Sequence, residues 1–265
     1  MSEPDDAGQR WSTMLARWAV PDELVAAAHE SPYFFDPKVF VDAADESVNR
    51  AEDTPSDEAA REALPAGGTV LDVGVGAGTA SLRLGAARII GVDPSPMLLE
   101  AFADRAARLG IAHTTIEGAW PQVAPETPSA DVVVCHHVVY NVADLAGFAR
   151  ALTDHATTRV VIELTAVHPR TWLTPYWEDL HGLSQPDRPT ADDAVAVLQD
   201  VAMTVHQRRW QRRIQMIGET GDEQLAGIAR RLCLPDTRRD ELRRALAATP
   251  PPAERDVVTL WWSVA

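Results

Sequence analysis

The chain has 265 residues, 46% of them hydrophobic, and a formal net charge of −15, enough to bury one sizeable core with extra elements around it. No apolar stretch approaches the roughly eighteen residues of a membrane span, and the acidic balance argues against nucleic-acid partners, whose affinity comes largely from neutralised phosphates. Two cysteines, Cys135 and Cys233, are too few and too separated for a disulfide framework, and the start Met-Ser-Glu-Pro-Asp-Asp lacks the basic and apolar segments of a secretion signal. A cytoplasmic monomer or homodimer is expected, with neither nucleic acid nor membrane as partner.

Residues 1–65 read as a helical arm or cap. Pro21-Asp22-Glu23-Leu24-Val25 opens a helix with an acidic first turn, residues 53–63 form a second, and Ser31-Pro32-Tyr33-Phe34-Phe35-Asp36-Pro37 is an aromatic loop between proline breaks. Pro65-Ala66-Gly67-Gly68 precedes the main domain, residues 66–265. There Val70, Leu71 and Val73 form a short buried strand ending in Gly74, Gly76 and Gly78, a bend with no side chains to hold a ligand off the backbone. Ile89, Ile90 and Val92 form a second strand closed by Asp93, about twenty residues past the first glycine, the spacing at which a carboxylate meets ribose hydroxyls in a βαβ unit.

Ser95 caps the next helix, Pro96 starts it, and Leu99, Phe102, Ala106 and Leu109 share one face before Gly110. Strands are expected over 112–116, 131–135 and 159–164, their apolar runs fitting parallel strands covered on both faces. Asn141 is placed to cap the helix of Leu145, Phe148, Ala149 and Leu152, and strand and helix are expected to alternate throughout. From about 166 to 190 the pattern turns irregular: His168-Pro169-Arg170-Thr171-Trp172-Leu173-Thr174-Pro175-Tyr176-Trp177 follows a central strand and reads as part of a substrate cover. Thr190 with Asp193 starts a helix, a sixth strand is expected around 203–209, and Leu225, Ile228 and Leu232, then Leu242, Ala245 and Leu246, mark two further helices. Pro250-Pro251-Pro252 is a stiff connector to a last strand over 256–264. Arg208, Arg209, Trp210, Arg212 and Arg213 read as a solvated strand edge, or else as a cluster that meets an anion or stacks a base.

The glycine loop is Gly-x-Gly-x-Gly, not the Gly-x-Gly-x-x-Gly of dinucleotide binding. With Asp72 two residues before Gly74, and Asp93 ending the second strand, it resembles motifs I and II of the class I S-adenosylmethionine-dependent methyltransferases. The resemblance implies a doubly wound, Rossmann-like seven-stranded α/β sheet, mostly parallel, whose last strand inserts antiparallel between the fifth and sixth and forms a hairpin at the edge. It implies S-adenosylmethionine as cofactor, with Asp72 near its amino group, Asp93 on its ribose, and Gly74, Gly76, Gly78, Pro94, Met97, Gly118, Ala119, Trp120 and His136 around it. One departure stands out. The Gly-Asp-Ala of many members, whose acid reads adenine, is replaced by Glu117-Gly118-Ala119-Trp120, leaving Trp120 to stack on adenine, the Ala119 amide to read the ring edge, or the indole simply to fill the core.

A sulfonium methyl is already activated, so such an enzyme chiefly aligns the acceptor and excludes water. His136 and His137 end the fourth strand where motif IV meets donor and acceptor, with Tyr140 and Asn141 just beyond. Each histidine is a candidate base or a structural ligand of a loop, and strand alternation lets at most one face the acceptor. Lacking a carboxylate or cysteine at ligand spacing, they make a poor metal site, and none is expected. Glu163 lines the pocket, binds a cationic acceptor or satisfies a helix terminus. The strand-four ending lacks the tetrapeptide with which DNA amino-methyltransferases of the family grip a flipped base, which favours a small acceptor under Tyr33, Phe34, Trp172, Tyr176 and Trp177, though each also fits ordinary hydrophobic filling. Three functions stay open: a small-molecule methyltransferase, a silent S-adenosylmethionine-binding regulatory module, and an NAD-dependent oxidoreductase.

Overall fold

A computed structural model describes residues 6–201, 203–213 and 221–264. In chain order the elements are helices α1 (Ala7–Ala16), α2 (Asp22–Ala27), α3 (Pro37–Asn49) and α4 (Pro55–Ala63), strands β1 (Thr69–Val73) and β2 (Arg88–Asp93), helix α5 (Pro96–Arg108), and strands β3 (Ala112–Glu117) and β4 (Ala130–His136). Helix α6 (Leu145–His155), β5 (Ala156–Thr165), α7 (Thr174–His181), α8 (Ala191–Asp200), β6 (His206–Arg213), α9 (Gly221–Arg231), α10 (Arg239–Ala248) and β7 (Glu254–Ser263) complete it. No described helix is long and apolar enough to cross a membrane.

The strands form one seven-stranded sheet in the order β3-β2-β1-β4-β5-β7-β6. The first five are parallel, while β7 runs antiparallel to both β5 and β6, as the resemblance implies. The edge pair is no tight hairpin, because α9 and α10 lie between β6 and β7 in the chain. Strand order reverses between β1 and β4, which opens a crevice at their carboxyl ends, the place where such sheets take ligands.

Residue alternation along the strands separates two cores. Val70, Ile89, Val132, Val134 and Val161 face Ala59 and Ala60 of α4 and Leu99, Phe102 and Ala106 of α5; Leu71, Val133, Val160 and Ile162 face Trp11 of α1, Phe148 and Leu152 of α6 and Leu198 of α8. Phe102, fully buried, stabilises the first by about 2–3 kcal/mol relative to exposure. A third cluster joins Leu173, Tyr176, Trp177 and Leu180 to Leu225, Ile228, Leu232 and Leu242 and holds α7, α9 and α10 together.

Four local expectations change. Between β1 and β2 the chain makes successive turns instead of a helix, with Gly78 N donating to Val75 O at 2.8 Å and Leu84 N to Ser81 O at 3.1 Å; Gly78 and Gly85 both have positive φ, and the stretch between them is too short for helical turns to accumulate. Only a single 3-10 turn links β3 to β4. The cap of α6 is Asp144, whose side chain accepts from Gly147 N at 2.9 Å, rather than Asn141. Strand β6 starts at His206, because Met203 N is spent on Leu198 O, closing α8.

Candidate active site

The carboxyl ends of β1, β2, β4 and β5 bring the motifs together. Gly74, Gly76 and Gly78 have φ of 75, 52 and 99°, a region glycine enters without strain. A Cβ on Gly74 would lie 2.4 Å from Val138 Cγ2 and one on Gly78 2.5 Å from Leu82, whereas on Gly76 it would meet only Phe40 of α3, at 3.7 Å. Two of the three glycines therefore answer to protein packing, and Gly76 alone faces the arm. Asp93 fixes the loop: its Oδ2 accepts from Gly76 N and its Oδ1 from Ser95 N, each at 2.9 Å.

Beneath the loop, Asp72 is fully buried and neither carboxylate oxygen has a hydrogen-bond partner. Burial pushes its pKa up to about 7, the nearby Ser81 hydroxyl opposes the rise, and the Asp93 charge adds to it. Such a carboxylate is missing a cationic or hydrogen-donating neighbour. The amino group that the resemblance assigns to it is one.

His136 and His137 do not split to opposite faces. His136 ends β4, but His137 has φ 59°, and this left-handed turn swings it back, so both imidazoles converge on Glu163 at the end of β5. His137 Nε2 lies 3.0 Å from Glu163 Oε1, and His136 Nδ1 lies 3.8 Å from Oε2. Arg212 of β6 adds its Nη1 at 3.4 Å. Burial works to raise the Glu163 pKa, but the two imidazoles and the Arg212 guanidinium around it outweigh that and hold the carboxyl well below the usual range. Burial lowers the pKa of His136, whose Nε2 is left without a partner. The His137 side chain is 39% exposed and is the one the solvent can reach. Glu163 thus orients histidines rather than meeting a cationic acceptor.

Several expected site residues stand elsewhere. Tyr140 is buried, its hydroxyl donating to Thr165 O at 2.8 Å and its ring against Trp11 at 5.6 Å, a packing role. Trp120 lies in the sheet core, edge-on to His155 at 4.8 Å, and does not stand ready to stack on a ligand. Tyr176 and Trp177 fill the third core, Tyr176 donating to Thr249 O at 2.6 Å, and Trp172 packs against Tyr176. Tyr33 and Phe34 are half-exposed, as are Pro94, Met97 and Ala119 at the β2 and β3 ends. The basic run on β6 is an ion-paired edge: Arg208 reaches Glu58, Arg209 Asp192, and Trp210 donates to Thr259 Oγ1.

Sequence reasoning passed over Phe40, Arg212 and His137's turn. Phe40 belongs to an amphipathic helix and carries no motif, Arg212 sat in a run that reads as surface, and a positive φ at histidine has no sequence signature.

Residues 70–157 match the sequence family described as a methyltransferase domain. Over those residues, a third of the chain, the sequence is similar to a methyltransferase domain. Ribosomal protein L11 methyltransferase of Aeromonas hydrophila is 43% identical over 84 residues, 31% of this chain and 28% of that protein, so the chain matches less than a third of the length of such relatives. The domain's fold is also that of YcgJ from Bacillus subtilis (TM-score 0.54, 17% identity, 79% of this chain and 97% of that one). A methyltransferase from Geobacter sulfurreducens in complex with S-adenosyl-L-homocysteine shares it too (TM-score 0.51, 18% identity, 84% and 97%).

Proposed function

We propose that this protein binds S-adenosylmethionine and transfers its methyl group to a small-molecule acceptor. The observation that carries the reading is Asp72, a buried carboxylate without a partner directly under a glycine loop that Asp93 ties down. When bound, S-adenosylmethionine supplies a methyl already activated by its sulfonium. In this reading Asp72 takes the methionine amino group, and Asp93, with one backbone donor on each oxygen, keeps lone pairs free for ribose hydroxyls. His136, desolvated by burial, stays neutral beside the donor.

His137 is the base for acceptors that carry a proton. Glu163, ionised and buried, accepts a hydrogen bond from His137 Nε2–H, which leaves Nδ1 with its lone pair to take the acceptor's proton as the new bond to the methyl carbon forms and its bond to the sulfonium sulfur breaks. Residues 6–65 and 166–190 then cover the acceptor side, a role supported by Phe40 over Gly76 and by the exposed rings of Tyr33 and Phe34. The ribosomal-protein substrate named for the curated relatives does not transfer, because the family match ends at residue 157, before β5 finishes and before the cap begins.

Calorimetric titration with S-adenosylhomocysteine and with NAD tests the donor half: saturable binding of the first and none of the second is expected, and the reverse would end the proposal. Incubation with methyl-labelled donor and either the small-molecule or the ribosomal fraction of a cell extract tests the acceptor, with label expected only in the former. Tight cofactor binding with no labelled product would make the chain a silent binding module.

A further inference from the structure

Arginines in this acidic chain are matched to carboxylates in most buried or half-buried places: Arg50 and Arg83 to Asp57, Arg105 to Asp45, Arg159 to Glu62 and Arg230 to Glu30. Arg170 and Arg231 differ. Both are partly buried, the charges acting on Arg231 are two other arginines, and neither has a carboxylate partner among the described residues. Desolvation and the like charges of Arg230 and Arg170 lower Arg231 to about 10.

Around them stand three exposed aromatic rings. Arg170 Cζ lies 4.7 Å from the Tyr33 ring centre, Arg230 4.9 Å from Phe34 and Arg231 4.7 Å from Phe35, and these consecutive rings are 45, 48 and 49% exposed. The patch adjoins the donor loop, because Phe35 packs at 6.1 Å against Phe40, the ring over Gly76. Arg170 follows the end of β5 and spends Nη1 on Trp18 O at 3.0 Å. Among the described residues its other donors, and those of Arg231, are uncommitted.

Two neighbouring guanidiniums removed from water without a counter-ion are costly. Stacking on a ring returns only about 0.5–2 kcal/mol. An oxyanion between them cancels the repulsion and uses their N–H forks in the bidentate manner that suits a carboxylate, while the rings accept a planar body. We propose that Arg170 and Arg231, with Tyr33, Phe34 and Phe35, form an anion subsite for a planar ligand bearing a carboxylate, and that this ligand is the methyl acceptor. Only the last clause rests on the methyltransferase reading.

The test titrates the full chain, free and saturated with S-adenosylhomocysteine, with benzoate, salicylate, 4-hydroxybenzoate and indole-3-acetate, each against its own methyl ester. At least one acid is expected to bind about tenfold or more tightly than its ester, the neutral isostere. Arg170→Gln and Arg231→Gln should each weaken that acid about tenfold, and Arg231→Lys should recover part of the loss, with S-adenosylhomocysteine affinity changed less than about twofold in all three. No preference for any acid, or a preference that survives both glutamine variants, overturns the subsite. Should a variant lose its fold, seen as loss of its cooperative melting transition, the parent's salt dependence decides: acid but not ester affinity should fall about threefold or more between 0.05 and 0.5 M NaCl, and a salt-independent acid complex overturns the proposal. If the parent chain binds an acid but not S-adenosylhomocysteine, the methyltransferase reading fails and the anion subsite stands.

Discussion

The donor side and the acceptor side of this cleft are built by different means. Between residues 72 and 97 the work is done by backbone: positive φ at three glycines, two main-chain N–H groups on one carboxylate, and strand register. The acceptor side is side chain upon side chain, with residues 33–35, 40, 170 and 231 meeting from segments some 200 positions apart. A site made of backbone tolerates change almost everywhere except at its turns, while a site made of side chains changes with each one.

The sharpest way to break that contrast is Gly74→Ala. Its Cβ would fall 2.4 Å from Val138 at φ 75°, so a stability loss of about 3–5 kcal/mol in urea unfolding and a loss of S-adenosylhomocysteine affinity of about 100-fold or more are expected. Unchanged affinity would show that the turn does not set the donor half. On the other side, His137→Ala should lower the rate of methyl transfer about 10²–10³-fold with cofactor affinity held within about threefold. Glu163→Gln, acting through the histidine, should cost less, about tenfold, and equal losses for donor binding and rate would place His137 on the wrong side of the comparison.

Asp72 separates the two halves by pH. Its folded pKa of about 7 lies above the usual 3.8, so the folded state holds the extra proton between these values, and stability falls as pH rises from about 4 to about 7, then levels off. Up to about 4 kcal/mol is at stake. Asp72→Asn should regain about 2 kcal/mol at pH 8 relative to the parent, little at pH 4, and should abolish the weakening of S-adenosylhomocysteine binding as pH drops below about 7. A parent melting temperature that climbs between pH 5 and 8 would contradict the sign. Tyr140→Phe, deleting one hydrogen bond to Thr165 O, should cost about 1 kcal/mol and leave transfer intact; a large rate loss would return Tyr140 to the chemistry. Smallest, Arg208→Ala at the exposed Glu58 pair should change stability by less than about 0.5 kcal/mol.

What could be read from the chain follows the same division. The positions of the strands, the glycine loop and the carboxylates Asp72 and Asp93 were legible, because each depends on residues a few positions apart whose spacing is itself the signal, whereas the strand order came only with the family resemblance. The helix expected between β1 and β2 was not to be had, since Gly78 and Gly85 at positive φ break it in a way composition alone does not display. The two histidines were misdirected by assuming a strand's alternation one residue past where β4 ends. Aromatics were the weakest guide. Tyr140, Tyr176 and Trp177 are aromatics like Tyr33 and Phe34 and read no differently in the sequence, yet the first three are interior and the last two open, a difference decided by partners from distant segments. Arg170 lay unread in a quoted stretch for the same reason.

The insertion of β7 between β5 and β6 has a consequence for how the molecule comes into being. Strand β6 is synthesised before β7, its one sheet neighbour among the described residues, so until residues 254–263 arrive it lacks that partner, and the flank of β5 lies bare. Strand β7 therefore acts as a keystone. A polypeptide stopped at residue 253 would carry six strands' worth of sequence, seat only five of them, and present an open hydrogen-bonding margin of the kind through which nascent chains stick to one another.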